Sequence, residues 1–163
     1  MKKTTYFITR TSLLLSLALI FQIAFRTFAQ PIVGPLINLI LIISVIKVGV
    51  VSAVMIGCLT PLIAFLIGIT PLLPLIPFIM IGNSIFAYIF NYFYRKERLA
   101  NDYRAIIPAA FGKFIFLALS IRYLVTLFIP QVPLNLIAAF TWPQLYTALI
   151  GGFLAIFISK LLK

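Results

Sequence analysis

Histidine is missing from this 163-residue chain, acidic residues number 2 against 13 Lys and Arg, and there is a single cysteine. Each shortage removes a class of chemistry. The two carboxylates, Glu97 and Asp102, lie in one polar segment, so the apolar remainder holds no general base, no zinc-ligand set and no proton relay. Cys58 stands alone in an apolar stretch, which excludes a disulfide framework or thiolate cluster within the chain. No nucleophile paired with a base, no metal-ligand spacing and no cofactor motif occurs, so neither an enzyme nor a bound cofactor or metal is expected. A carrier driven by protons or sodium commonly uses membrane carboxylates, although backbone carbonyls also hold sodium, and is disfavoured for the same reason. A cationic substrate would find no counter-charge.

Charge of either sign is scarce. Only 9% of residues are charged and 64% are hydrophobic, with a mean hydropathy of +1.22, whereas a soluble domain is nearer half apolar and about a quarter charged. A soluble globule is excluded. At about 1.5 Å of rise per residue the chain makes at most roughly 245 Å of helix, against about 30 Å of hydrocarbon per span. That length allows at most about eight spans, and about six once loops are counted. The expectation is one all-α integral membrane domain over residues 1–163, with no room for a nucleotide-binding domain. A net charge of +11 would raise nucleic acid as a partner of a soluble protein; here it is read as membrane topology, with the bilayer as the partner.

Apolar runs broken by proline, glycine and charge predict six spans at about 7–28, 33–47, 49–69, 77–94, 105–128 and 139–162. Breaks are expected at Gln30-Pro31, Gly34-Pro35, Thr70-Pro71, Pro74, Pro77, Pro130 and Pro133. The second span covers only some 22 Å by helical rise. It is therefore tilted, shortened by a re-entrant start over residues 31–35, or extended by snorkelling of Lys47. With six spans, Lys2, Lys3, Arg10, Lys47, Arg95, Lys96, Arg98, Arg104, Lys160 and Lys163 all fall on one side. By the positive-inside rule that side, with both termini, is cytoplasmic. A cleaved signal peptide ending near Thr27-Phe28-Ala29 is the alternative for the first run, but Arg26 and the length of the run favour a retained helix.

Three cations remain inside the spans: Lys113, Arg26 and Arg122. A charge at membrane depth costs about 2.5–3.5 kcal/mol on insertion scales, so such a residue faces a cavity, marks a substrate or snorkels. Snorkelling is easiest for Arg26 and Arg122, near the outer ends of their spans, and hardest for Lys113, about 12 Å into the fifth. Lys113 and Arg122 stand 9 positions apart, half a turn out of phase at about 100° per residue, and cannot both face one cavity on a straight helix. The order of expectation for ligand contact is Lys113, Arg26, Arg122. Asn38, Asn83 and Gln144 cluster toward the same half of the protein, as interhelical hydrogen-bonding groups or as ligand contacts. Trp142 and Tyr146 are an aromatic belt or a stacking surface, and Thr60-Pro61 reads as a kink. A basic group with amides and aromatics open to the outside suits a small anionic, carboxylated solute. Two stripes of small residues look like packing faces: Thr5, Thr9, Ser12 and Ser16 on the first span, and Ala148, Gly151, Gly152 and Ala155 on the last.

The whole chain resembles a substrate-binding S component of an energy-coupling factor (ECF) vitamin transporter. The likeness rests on Gln30-Pro31 to Asn38, Thr60-Pro61, Pro77 to Asn83 and Gly112-Lys113, together with size, topology and the scarcity of acids. The resemblance implies a six-helix protein of the bacterial cytoplasmic membrane that captures a vitamin or related micronutrient. It also implies as partners a membrane coupling protein and two ATPase subunits. In that family an Ala-x-x-x-Ala face on the first helix docks onto the coupling protein; the matching positions are Ser12 and Ser16, flanked by Thr9, so the small size is kept and the alanines are not. The family's substrate site lies in the outer half, which carries over to Asn83, Lys113, Gln144 and residues 31–38. Biotin, nicotinate, pantothenate and lipoate all meet the description of a carboxylated substrate. The alternatives are a six-helix membrane scaffold of the MreD kind without solute binding, in which fewer cavity-placed cations are expected, and an autonomous anion facilitator.

Overall fold

Among the described residues six long helices follow the six apolar runs, and a seventh, short helix lies between the last two. The computed structural model describes residues 2–70, 72–94, 99–129 and 131–161. Helix α1 (Lys2–Ala24) leads through a 3-10 turn (Arg26–Phe28) into α2 (Ala29–Lys47), followed by α3 (Val50–Leu66). A second 3-10 turn (Leu73–Leu75) opens α4 (Ile76–Phe93). Helix α5 (Leu99–Leu119) continues through a π turn (Ser120–Leu124) and a 3-10 turn (Val125–Leu127), and α6 (Leu134–Ala139) precedes α7 (Trp142–Leu161). The described segments Lys3–Ala24, Leu73–Phe93, Asp102–Leu127 and Leu134–Leu161 are long and apolar enough to cross a membrane, while Pro31–Lys47 and Val50–Leu66 are shorter apolar helices.

The expected break over residues 31–35 does not occur, because α2 begins at Ala29 and runs through Pro35. The reason is positional. Pro31 sits in the first turn, where backbone N–H groups have no intrahelical partner in any case, so its missing donor costs nothing. Pro35 forfeits only the bond to the carbonyl of Pro31, still at the helix start. The helix is thereby about 28 Å long by its rise, and needs no re-entrant start. It is also the most enclosed element: Ile40, Leu41 and Ile42 have no exposed surface. A helix apolar on every side belongs inside a bundle, and α2 packs against α7 most extensively and also against α1, α3 and α4. The uncharged stretch over residues 129–138, between the fifth and sixth expected spans, contains most of α6.

Small residues set how closely the helices approach. A Cβ placed on Gly151 would collide with the backbone carbonyl of Pro35 and lie 2.8 Å from the Asn38 Cβ, so α7 rests directly on the α2 backbone. Ala148, Gly151, Gly152 and Ala155 are all buried, as an internal packing stripe requires. Near the other end of the bundle a buried chain of hydroxyls joins three helices. Thr11 Oγ1 and Ser44 Oγ both donate to Ser52 Oγ at 2.8 Å, tying α1 and α2 to α3.

Contacts at that end gather the start of α1 and α5 with the ends of α2 and α7. The Tyr6 hydroxyl donates to the Lys47 carbonyl, Lys47 Nζ donates to the Ser159 carbonyl at 3.4 Å, and Lys160 Nζ lies 4.1 Å from the Tyr103 ring centroid. Lys3, Arg10 and Arg104 belong to the same helix ends. Of the other basic residues assigned to this side, Arg95, Lys96, Arg98 and Lys163 lie outside the described residues, as does Glu97.

Replacing Gly151 with Ala should lower stability by roughly 1–3 kcal/mol, because the added carbon meets backbone that cannot yield. Thermal unfolding in detergent measures this, with exposed Ser12→Ala as a control expected to stay within about 0.5 kcal/mol of the parent.

Candidate functional site

At the end of the bundle away from the basic cluster, the ends of α1 and α3, the first halves of α2 and α4, the last turns of α5, α6 and the start of α7 enclose a cavity of about 290 Å³. Lys113 forms its floor. Its Nζ is buried, 4% of the residue being exposed, and donates to Asn38 Oδ1 at 2.6 Å and to Asn83 Oδ1 at 2.8 Å. The Phe86 ring centroid is 5.5 Å from the same nitrogen, close enough for its face to attract a cation. Two of the three hydrogens of an ammonium are accounted for by these amides. No acidic residue lines the cavity among the described residues.

Proline sets the orientation of one of the two amides. Pro61 lies inside α3 and has no N–H to donate to the carbonyl of Gly57 four residues earlier. Asn83 Nδ2 donates to that carbonyl at 2.9 Å. Because the Asn83 amide is held by its nitrogen, its oxygen is turned to Lys113. Gly57 makes the approach possible, since a Cβ there would stand 2.8 Å from the Asn83 Cβ. Asn38 is held against α7 by the absence of a side chain at Gly151.

The walls are aliphatic, with Val33, Ile37, Ile69, Leu75, Ile79, Leu117 and Leu136, and carry one ring, Phe140. Polar groups lie on α1, α3, α7 and the turns. Gln22 Oε1 is buried and has no hydrogen-bond partner among the described residues. Buried Thr60 donates its hydroxyl to the Ile56 carbonyl, Gln144 Nε2 donates to the Ala139 carbonyl at 3.2 Å, and exposed Arg26 and half-buried Thr70 complete the lining.

Of the residues expected from sequence to meet a ligand, Lys113, Asn83, Arg26, Asn38 and Gln144 converge on this cavity. Arg122, Trp142 and Tyr146 do not line it. Arg122 is exposed in the π turn of α5, out of phase with Lys113 as the helical spacing required. Trp142 is 69% exposed, with its ring 5.5 Å from that of Phe114 in a stacked arrangement, and Tyr146 one turn later is 40% exposed. Buried Gln144 turns inward between them. Thr9, Ser12 and Ser16 are exposed on α1, whereas Thr11 between them is buried against Ser52. Sequence reasoning missed Gln22, Thr70 and Phe140, and read Thr60 only as part of a kink. Gln22 had a signal: it is an amide within an apolar run, four residues before Arg26.

If Pro61 is what leaves the Gly57 carbonyl to Asn83, the two residues are energetically coupled. Asn83→Ala should cost about 1 kcal/mol more in the parent than in a Pro61→Ala background, where residue 61 supplies the N–H itself. Unfolding of the four proteins in a double-mutant cycle checks this, and additive effects would show that the carbonyl is not shared.

A family model described as "ECF transporter, substrate-specific component" matches residues 6–162 of the chain. No curated protein and no solved structure matches it.

Proposed function

The chain belongs to the family of ECF transporter substrate-specific components, and from that premise we propose that it captures a small carboxylated, vitamin-like solute from outside the cell. Members of the family are multi-pass membrane proteins that serve as the substrate-binding subunit of an ECF importer, and are not enzymes. That membership sets aside a scaffold without solute binding.

One observation carries the reading. Lys113 is buried with two amide oxygens and, among the described residues, without a carboxylate at the floor of a cavity. Neutral amides offset only part of the cost of removing an ammonium from water, so an entering anion completes its coordination. With both amide oxygens committed to Lys113, Asn38 and Asn83 act through it. Gln144 meets the polar groups of the solute, and Arg26 draws the anion in from the mouth. By the positive-inside rule the basic end is cytoplasmic, so the cavity opens outward across the bacterial cytoplasmic membrane. Helix α6 and the 3-10 turn Leu73–Leu75 close over the solute.

The exposed face of α1 bearing Thr9, Ser12 and Ser16 docks onto the membrane coupling protein. Large side chains are absent at these positions, which lets a partner helix approach closely. Two ATPase subunits bound to the coupling protein supply the energy that resets the loaded component.

A thermal-shift screen of the detergent-purified protein against water-soluble vitamins and their carboxylated precursors tests the reading, because a ligand that binds the folded state raises its stability. Lys113→Met should weaken binding of the hit at least about 30-fold, as expected when one partner of a buried charge pair is removed. Unchanged affinity would remove Lys113 from the site. Ser12→Leu combined with Ser16→Leu should leave binding intact and abolish ATP-dependent uptake in the assembled transporter. Normal uptake by that variant would place the docking face elsewhere, and uptake by the isolated protein in liposomes would identify an autonomous facilitator.

A further inference from the structure

The cavity offers a cation at its floor and neutral oxygens above it. At the floor the free capacity is a donor: Lys113 Nζ gives two bonds to Asn38 and Asn83, and an ammonium has three to give. Above it, beside the donors of Arg26 and Thr70, three side-chain oxygens have capacity to accept. Gln22 Oε1 is buried without a partner among the described residues. Thr60 spends its one hydrogen on the Ile56 carbonyl, and Gln144 is anchored through Nε2 to the Ala139 carbonyl, so the oxygens of both side chains are left to accept. A ligand that satisfies both levels presents negative oxygen inward and hydrogen-bond donors along its length.

The walls decide the body of such a ligand. They are branched aliphatic side chains, and Phe140 is the only aromatic ring in the lining among the described residues. A flat heteroaromatic ring would find one face to stack on and no second ring opposite. The volume of about 290 Å³ is at the small end for ligand pockets, with room for on the order of 10–15 non-hydrogen atoms at roughly 20–30 Å³ each.

Resting on the function proposed above, we infer that the site selects an aliphatic monocarboxylate carrying hydroxyl or amide N–H donors on its chain, bound with the carboxylate inward on Lys113 and the donors toward Gln22, Thr60 and Gln144. Aromatic acids and plain fatty acids of the same length are discriminated against, the first by the walls and the second by the unmet acceptors. Gln22 is the specificity residue of this arrangement, since its oxygen has no other partner among the described residues.

The test uses the full-length purified protein and a set of simple probes: hexanoate, 6-hydroxyhexanoate, 4-acetamidobutanoate, the methyl ester of the last, and pyridine-3-carboxylate, titrated by calorimetry and by thermal shift. The two donor-bearing acids should bind about tenfold more tightly than hexanoate, as one or two buried hydrogen bonds would give. The ester and the pyridine acid should bind more weakly still. Gln22→Leu should bring 4-acetamidobutanoate down to the affinity of hexanoate, with a cooperative thermal unfolding transition showing that the variant is folded. Thr60→Val should produce a smaller loss of the same kind. A Lys113-dependent preference for pyridine-3-carboxylate, equal binding of hexanoate and the donor-bearing acids, or indifference to Gln22→Leu overturns this inference alone. Binding of the acids that survives Lys113→Met, or no binding of any acid by folded protein, overturns the anionic reading on which it rests.

Discussion

An ammonium held inside an apolar bundle is the constraint around which the site end of this protein is organised. Taking such a group out of water is costly, and the chain has no histidine and, among the described residues, no carboxylate in the cavity lining to offset the cost. The compensation comes from two amide oxygens, and they must be brought from different helices. Lys113 lies on α5, Asn38 on α2 and Asn83 on α4. The three helices therefore have one relative placement in which the ammonium is satisfied. The packing supports that placement through absent side chains: Gly57 admits Asn83 to the α3 backbone, and Gly151 seats α7 on α2 beside Asn38.

Prolines contribute by freeing carbonyls as well as by ending helices. Pro61 costs α3 one backbone bond, and the released Gly57 carbonyl becomes the anchor for the Asn83 amide. An amide gripped at its nitrogen presents its oxygen in a fixed direction, which is what the cation needs. Pro31 and Pro35 fall at the opening of α2, where missing donors matter least, so α2 keeps its length and carries Asn38 to the floor of the cavity. Helix α1 contributes differently. It is held to α2 and α3 near the basic end by Thr11, Ser44 and Ser52 and leaves its opposite face unpacked. The function proposed for the chain needs both features: a held ammonium to receive the solute, and a helix face that is stable without a partner and available to one.

Composition alone determined much of this protein. Apolar content excludes a soluble domain, the run lengths count six long helices, and the missing His removes imidazole chemistry from the bundle, since these are sums over the chain that no packing can change. Lys113 was legible because a cation inside an apolar run has few physical explanations. Gln144 could be separated from Trp142 and Tyr146 only by knowing which side of α7 meets the bundle, and a helix that is apolar nearly all round carries little phase information. The tertiary structure decided the rest. It carried α2 through its prolines, because burial on all sides outweighs one missing hydrogen bond at a helix start. It folded α6 in an uncharged stretch and placed Leu136 and Ala139 in the lining of the cavity. It also paired Pro61 with Asn83, residues 22 positions apart in the chain, because a freed carbonyl finds its donor by proximity in space, which local sequence does not encode.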